Sequence, residues 1–189
     1  VGESYALDRA KAAVDLLRPE SRGMRVVYAP PLWSSDGLCE HVSDIVWTTR
    51  DEPAATGVAL VLHGQPDAWQ RSHAEFDVQE NSFANRVRAT LIERGLPQEN
   101  IRLCFAEWRN PDVTETVRHL AALGCGRVLV CPATFPFESS VTILDLQVAV
   151  RQARVDAHVS TIILSAWGDG PEMVGVLGAA VRSALSEPS

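Results

Sequence analysis

Three residues that can bind metal ions or move protons follow apolar, strand-like segments of this sequence: His63, Glu107 and Glu138. A neutral imidazole can bind a metal ion or accept a proton near neutral pH, and a carboxylate can act as an acid, a base or a metal ligand. The carboxyl ends of parallel strands lie at one edge of a sheet, where open α/β sheets bind their ligands. We therefore expect the three side chains to share one rim of the fold.

His63 precedes Gly64, which has no Cβ and lets the backbone turn tightly after a strand. Two interpretations of His63 stay open: a metal ligand or proton acceptor, or a residue that ends the strand and hydrogen-bonds locally. Glu107 precedes Trp108, an aromatic residue that either lines a pocket or simply packs. The other histidines stand in polar or helical segments and are expected to be solvated: His41, His73, His119 and His158.

Glu138 and Asp145 are spaced i, i+7 at the start of a predicted helix, which places them on roughly one helix face. Two carboxylates in line can pass a metal ion or relay protons. The alternative is that Glu138 is an acidic residue at a helix N-terminus, where the helix dipole favours negative charge. The pattern alone favours this second interpretation.

The composition and the missing motifs argue against several classes of binding partner. Acidic residues number 24 and basic residues 17, giving a net charge of −7, which argues against nucleic acid and anionic membranes. Glycine-rich phosphate-binding motifs are absent, so no nucleotide cofactor is expected. The four cysteines form no CxxC pair, and Cys104 and Cys131, which lie in apolar runs, are expected to be buried thiols.

Strand-like and helix-like patterns alternate along the chain. Short β-branched runs separated by helices indicate a parallel sheet covered on both faces, a three-layer α/β/α sandwich. The predicted strands are 24–29, 57–62, 100–106, 127–132 and 160–165, and the predicted helices lie near 5–17, 36–46, 79–94, 111–123, 139–152 and 171–185. Gly124 is expected to cap the fourth helix, and 64–78 is the longest irregular segment, of a length that is often functional.

The length fits a single α/β domain over 1–189 with its core at 24–185, or one half of a two-domain protein. No apolar run approaches the length of a membrane span, and 1–20 lacks the pattern of a signal peptide. A cytoplasmic location is therefore expected. A chain that begins at Val1 rather than Met is expected to be processed or to belong to something longer.

From about residue 24 to 185 the order of motifs resembles the C-terminal half of ferrochelatase, within the class II tetrapyrrole metal chelatases. Five segments carry the resemblance in the same order. They are the strand ending in His63 and followed by Pro66, the strand, Trp and Pro-Asp stretch at 102–113, the strand-to-Phe passage at 126–135, the helix with Thr142 and Asp145, and the closing helix that begins at Pro171.

The resemblance implies a chelatase-like fold and a lyase of heme biosynthesis that inserts a divalent metal, with ferrous iron expected, into a porphyrin-type tetrapyrrole. The metal is then a substrate. By resemblance His63 is the metal ligand or base, and Glu138 is its catalytic partner. Glu138 and Asp145 form an acidic path that feeds the metal. Trp108, Phe135 and Glu107 are the residues expected to contact the substrate.

Departures from the family pattern keep a second hypothesis open. The family's Asp-His pair falls on Glu138 and Ser139, its catalytic glutamate falls on Val141, and a later glutamate falls on Asp145. The cysteines do not match the family's iron–sulfur cluster. The alternative is a catalytically degenerate chelatase-fold domain with a ligand-binding or assembly role. A homodimer, or association with a missing N-terminal half, is the expected form of partnership.

Overall fold

The computed structural model describes residues 4–17, 23 and 25–186. Four strands in this part of the chain form one parallel sheet: β1 (Thr56–Leu62), β2 (Ile101–Phe105), β3 (Arg127–Pro132) and β4 (Ser160–Ile163). Their spatial order is β2-β1-β3-β4, so β1 and β3 are central and β2 and β4 are edges. The predicted α/β class with a parallel sheet is confirmed.

Helices connect and flank the strands. They are α1 (Tyr5–Leu16), α2 (Asp36–Thr49), α3 (Asp67–Gln70), α4 (Ala74–Glu93), α5 (Val113–Ala122), α6 (Leu146–Ala153) and α7 (Pro171–Ser186). A π-helical turn, Val141–Asp145, leads directly into α6. Within the described residues, none of these helices combines the length and the hydropathy needed to cross a bilayer.

Two apolar layers lie on opposite faces of the sheet because successive strand side chains alternate in direction. Val58 and Leu60 of β1 join one core with residues of α2, α4 and α7. Ala59 and Val61 join the other core with residues of α5 and α6. All seven residues of β1 are buried, and each large side chain so buried stabilises the fold by about 1.5–3 kcal/mol. Of the four strands described, β1 is therefore the one that is buried along its whole length.

Local signals set the ends of α5 as predicted, with a small shift. Asp112 caps its N-terminus by accepting a hydrogen bond from the Glu115 amide at 2.7 Å. The helix thus begins at Val113, two residues after the Pro111 start that the sequence indicates. Gly124, just beyond the C-terminus, has a φ of +91° and supplies the left-handed residue that ends the helix.

The prediction of a buried strand at 24–29 is wrong. Met24 lies outside the described residues, and 25–30 has no regular secondary structure. Val26 and Tyr28 are exposed, and the segment pairs with neither sheet edge. The β-branched and aromatic composition misled the prediction because strand propensity reflects packing on a sheet surface, and this segment does not join the described sheet.

The segment 64–78 is not irregular throughout, so that expectation is corrected. Helix α3 begins after Pro66, whose carbonyl accepts the Trp69 amide at 2.9 Å. Helix α4 then begins at Ala74, five residues before the predicted start at 79. The four residues of α3 are too few to show an apolar periodicity, so the sequence does not indicate this helix.

Candidate functional site

A cavity of about 390 Å³ opens beyond the carboxyl ends of the two central strands, β1 and β3. This volume lies within the range of small-molecule sites. His63 enters it directly after β1, and Phe135 enters it shortly after β3. Aromatic and small residues dominate the wall, which consists of Ser4, Tyr5, Ala6, His63, Gly64, Gln65, Trp69, Phe76, Thr134, Phe135, Pro136, Phe137, Ser139, Ser140 and Val141.

The His63 imidazole is half-buried, and its backbone contacts determine which nitrogen is available. Nδ1 lies 2.8 Å from the carbonyl oxygen of Gly64. Because a carbonyl oxygen only accepts, Nδ1 carries the proton and donates, which leaves Nε2 of the neutral ring with a free lone pair. The ring also packs against Phe135, with centroids 5.6 Å apart. His63 is therefore oriented to offer Nε2 as a base or a metal ligand.

A fully buried carboxylate, Glu80 of α4, supports the turn that carries His63. Its Oε1 accepts from the His63 amide at 2.8 Å and from the Thr134 hydroxyl at 2.8 Å, and its Oε2 accepts from the Gly64 amide at 3.1 Å. The Thr134 hydroxyl oxygen also accepts from the His63 amide at 3.0 Å. Glu80 thus connects the ends of β1 and β3 through one carboxylate.

Burial raises the pKa of Glu80 above the ordinary glutamate value of 4.5. The hydrogen bonds from Thr134, His63 and Gly64 act in the opposite direction, because they stabilise the ionised form. Sequence reasoning missed Glu80, although a signal was present. It occupies a core position of the α4 pattern, three and seven residues before the buried Phe83 and Val87. An acid at such a position needs buried donors, and here the turn at His63 provides them.

Only glycine fits at position 64 of this turn without strain. Its φ is +79°, and a Cβ built there would lie 2.4 Å from the carbonyl oxygen of Glu107. The Glu107 amide donates back to the His63 carbonyl at 3.3 Å, and the Ala106 amide donates to Leu62 at 2.8 Å. The chain that leaves β2 therefore runs against the His63–Gly64 turn and fixes it from the side.

Of the three predicted substrate contacts, the structure brings only Phe135 to the cavity. Glu107 is half-buried and meets the turn through its backbone. Trp108 has a φ of +66° and is 58% exposed, and the Arg109 amide donates to the Glu107 carbonyl at 2.8 Å across it. The Trp108 ring therefore lies on the surface outside the cavity wall.

Glu138 and Asp145 also lie outside the cavity wall. Oε1 of Glu138 accepts from the Ala166 amide at 2.8 Å, and Oε2 accepts from the Thr142 hydroxyl at 2.7 Å, so the carboxylate joins the segment after β4 to the π-helical turn. Asp145 is exposed and borders a separate depression between α5 and α6. Val141, where the resemblance places an acid, does line the cavity.

Within the described residues, no group of three histidine, cysteine or acidic side chains is close enough to hold a metal ion. His63 therefore enters the cavity as an isolated imidazole. A stable metal centre generally needs three or four protein ligands. The arrangement suits transient contact with a metal ion or a proton rather than a resident metal.

An aromatic pair also lines the cavity. The Tyr5 ring of α1 stacks on Trp69 of α3, with centroids 4.7 Å apart and planes 19° apart. His73 meets the edge of Tyr5 and pairs with Asp8 at 2.8 Å, and its side chain is only 11% exposed, so the expectation that it is solvated is wrong. Sequence reasoning missed the Tyr5–Trp69 pair because α1 and α3 are distant in the chain and neither helix shows a motif.

The remaining histidines and the cysteines follow the sequence interpretation with one exception. His119 and His158 are exposed as predicted, whereas His41 is half-buried and bonds the Trp167 carbonyl at 2.7 Å. The predicted burial of Cys104 and Cys131 is confirmed, and burial raises the pKa of both thiols to about 12. Such thiols are inert toward metals and oxidants at neutral pH.

Comparison with known proteins gives two matches. The family model described as CbiX matches residues 57–184, which is more than half of the chain and includes all of the sheet after its first residue. A curated relative, ferrochelatase of Thermosynechococcus vestitus, is 21% identical over 179 residues. The match covers 90% of this chain and 46% of the ferrochelatase, so the chain spans about half the length of that relative.

Proposed function

Because the chain belongs to the CbiX family, we propose that it is a chelatase that inserts a divalent metal ion, ferrous iron first among them, into a porphyrin-type tetrapyrrole. The observation that carries the proposal is the cavity beyond β1 and β3, in which His63 presents Nε2 among aromatic side chains. The match to a protein named ferrochelatase supports the same reaction class.

Metal insertion requires of the protein a cavity whose shape holds the macrocycle and one base. A free-base macrocycle exchanges two pyrrole N–H protons for one divalent cation, so a group near the ring centre must take protons as the metal enters. Nε2 of His63 accepts the two protons one at a time and passes each to water at the open side of the cavity. The aromatic wall, with Phe135 and Phe137, provides an apolar surface for a flat ring.

Delivery of the metal is assigned, as part of the proposal, to Glu138 and Asp145. A carboxylate has about four lone-pair positions. Glu138 therefore retains acceptor capacity after the bonds from Ala166 and Thr142. Both residues are exposed, and the net charge of −7 favours cations at the surface. The role needs only weak and transient contact, which agrees with the absence of a three-ligand cluster among the described residues.

The test is metal insertion under anaerobic conditions. Purified protein receives ferrous iron or cobalt and a free-base porphyrin, and the absorption spectrum is followed. We expect conversion to the metallated spectrum and its loss in His63→Ala. His119→Ala, which removes an exposed histidine that does not line the cavity, is the matched control and should convert at the wild-type rate. Equal rates in both variants would remove His63 from the mechanism.

A second candidate function is favoured by one observation. Val141 lines the cavity where the resemblance places a catalytic acid, so the domain can be a tetrapyrrole-binding or assembly module without turnover. This alternative predicts that the wild-type protein binds a free-base porphyrin and leaves it unmetallated, and that Val141→Glu gains activity. Conversion by the wild-type protein contradicts it.

For the partner we propose a second copy of this chain, in contact through α7. The helix exposes a stripe of Val174, Leu177, Val181 and Leu185, each close to half exposed or more, and Arg182 is the one charged residue of α7 after Glu172. Exposed apolar stripes of this kind mark protein contacts. We expect a dimer in light scattering, a monomer for Leu177→Asp, and a dimer for the control Ser183→Asp. A monomeric wild-type protein contradicts the proposal and leaves a separate half as the partner.

A further inference from the structure

Two aromatic rings stack over the candidate site, and neither belongs to the machinery described above. Tyr5 and Trp69 both line the cavity, with nearly parallel rings whose centroids are 4.7 Å apart. The two residues remain 41% and 39% exposed. Stacked aromatic pairs in proteins usually serve to bury their faces. This pair instead leaves large parts of both rings open beside a cavity of about 390 Å³.

Helix α1, which carries Tyr5, is only lightly attached to the domain. None of its residues is buried. Among the described residues, its contacts with the rest of the domain include the Tyr5 ring against Trp69 and His73, the Asp8–His73 pair, and Lys11 over the Tyr28 ring at 5.6 Å. The family match begins at residue 57 and does not include α1. Because no residue of α1 belongs to either apolar core, displacing α1 leaves both cores intact.

Trp69, in contrast, is held in a fixed relation to His63. It lies on α3, which begins three residues after Gly64, and its amide is bonded to the Pro66 carbonyl at 2.9 Å. The Gln65 side chain, at the base of the same segment, donates to the His73 carbonyl at 3.0 Å and joins this segment to the start of α4. The backbone of Trp69 is therefore held in the segment that follows His63, and both residues line the same cavity.

From this arrangement we propose that Trp69 is the surface on which the substrate macrocycle stacks, and that Tyr5 is an internal placeholder which the macrocycle displaces. The inference rests on the proposed function, since it takes the ligand to be a flat tetrapyrrole. The macrocycle takes the place of the Tyr5 ring, so the stacking face of Trp69 is covered both before and after binding. The helix α1 thereby covers the site in the free protein and opens it in the complex.

The proposal predicts coupling between the two rings in binding. A stacked aromatic pair corresponds to about a 2- to 10-fold change in a binding constant. Tyr5→Ala removes the competitor and should tighten the binding of a free-base porphyrin by that factor. In the Trp69→Ala background Tyr5 has no platform to occupy, so adding Tyr5→Ala should leave the affinity unchanged. Tyr5→Phe keeps the ring and should bind like the wild type.

The experiment measures free-base porphyrin affinity by fluorescence quenching, without metal, for the wild type, the three single variants and the Tyr5→Ala/Trp69→Ala double variant. A second readout uses 3-fluorotyrosine, because the chain has only two tyrosines, Tyr5 and Tyr28. Assignment with Tyr28→Phe identifies the fluorine signal of Tyr5. Saturation with porphyrin should move that signal toward the position of free fluorotyrosine.

Three results would overturn the inference. Tyr5→Ala leaving the affinity unchanged removes the placeholder role, and equal tightening with and without Trp69 shows that loosening α1, rather than freeing Trp69, is the cause. A Tyr5 signal that stays in place at saturation shows that no displacement occurs. Each of these is compatible with active metal insertion and leaves the proposed function standing. No binding of porphyrin to any variant overturns both together.

Discussion

Replacement of Glu80 tests how the fold positions His63, the histidine that lines the cavity. In Glu80→Ala the Gly64 amide and the Thr134 hydroxyl lose their acceptor, while the His63 amide keeps its bond to Thr134. An unsatisfied buried donor costs about 1–3 kcal/mol, so the free energy of unfolding should fall by about 2–6 kcal/mol. That is a large part of the total stability of a domain, which is about 5–15 kcal/mol.

Glu80→Gln separates the charge from the volume. The amide oxygen can still accept from His63 and Thr134, but the amide nitrogen then faces the Gly64 N–H, donor against donor. We expect a loss of about 1–3 kcal/mol, measured by urea denaturation followed by circular dichroism. The amide signals of His63 and Gly64 should shift in the nuclear magnetic resonance spectrum. Glu93→Gln, at the exposed end of the same helix, should change stability by less than about 0.5 kcal/mol.

The pH dependence gives a second, independent measure of Glu80. Its pKa in the folded protein is raised above 4.5 by burial, so between 4.5 and the raised value the native state binds more protons than the unfolded state. Stability should therefore fall as pH rises through this window, and Glu80→Gln should lack this component. Identical pH profiles for the two proteins, together with unshifted amide signals, would refute the assignment of the carboxylate to the His63 turn.

The other predictions concern single features of the structure. Gly64→Ala should lower the free energy of unfolding by at least about 1–3 kcal/mol, because the alanine would combine a positive φ with a Cβ 2.4 Å from the Glu107 carbonyl oxygen. Urea denaturation measures this loss, and an unchanged free energy of unfolding would contradict the geometry of the turn. Burial raises the thiol pKa values of Cys104 and Cys131 to about 12, so both should resist alkylation at pH 8 in the native protein and react fully in urea. Mass spectrometry of peptides measures the labelling, and rapid labelling of the native protein would contradict the burial of the thiols. Thr142→Val should remove the hydroxyl that donates to Glu138 at 2.7 Å and cost about 0.5–1.5 kcal/mol, also by urea denaturation, whereas Thr142→Ser should retain most of that stability.

Periodicity and local capping signals were sufficient to predict β1, β3 and the position of His63. Those signals are carried by neighbouring residues, as in the apolar run of β1 that ends at His63 and the Gly124 that ends α5. The segment 25–29 shows the limit of this reasoning, because its β-branched residues had no sheet edge to pair with. Whether a strand forms depends on partners that the segment itself does not contain.

The site was harder to predict than the fold because it depends on contacts between distant segments. The three strand-end residues were expected on one rim, yet only His63 enters the cavity, since Glu107 turns aside with Trp108 and Glu138 bonds the Ala166 amide. Glu80 lies 17 positions from His63 in the chain, and its partners are two main-chain amides and the Thr134 hydroxyl, which no sequence pattern reveals. An acid at a core position of a helix was the one available signal, and it pointed to buried donors without identifying them.

The most direct measurement is the initial rate of metal insertion for His63→Ala with and without added imidazole. If Nε2 of His63 takes the pyrrole protons, the variant should lose activity, and free imidazole entering the vacated part of the cavity of about 390 Å³ should restore a fraction of it. 1-Methylimidazole, which also has a basic nitrogen, should act similarly, whereas pyrrole, which has none, should not. A wild-type rate in His63→Ala without any addition would contradict the account.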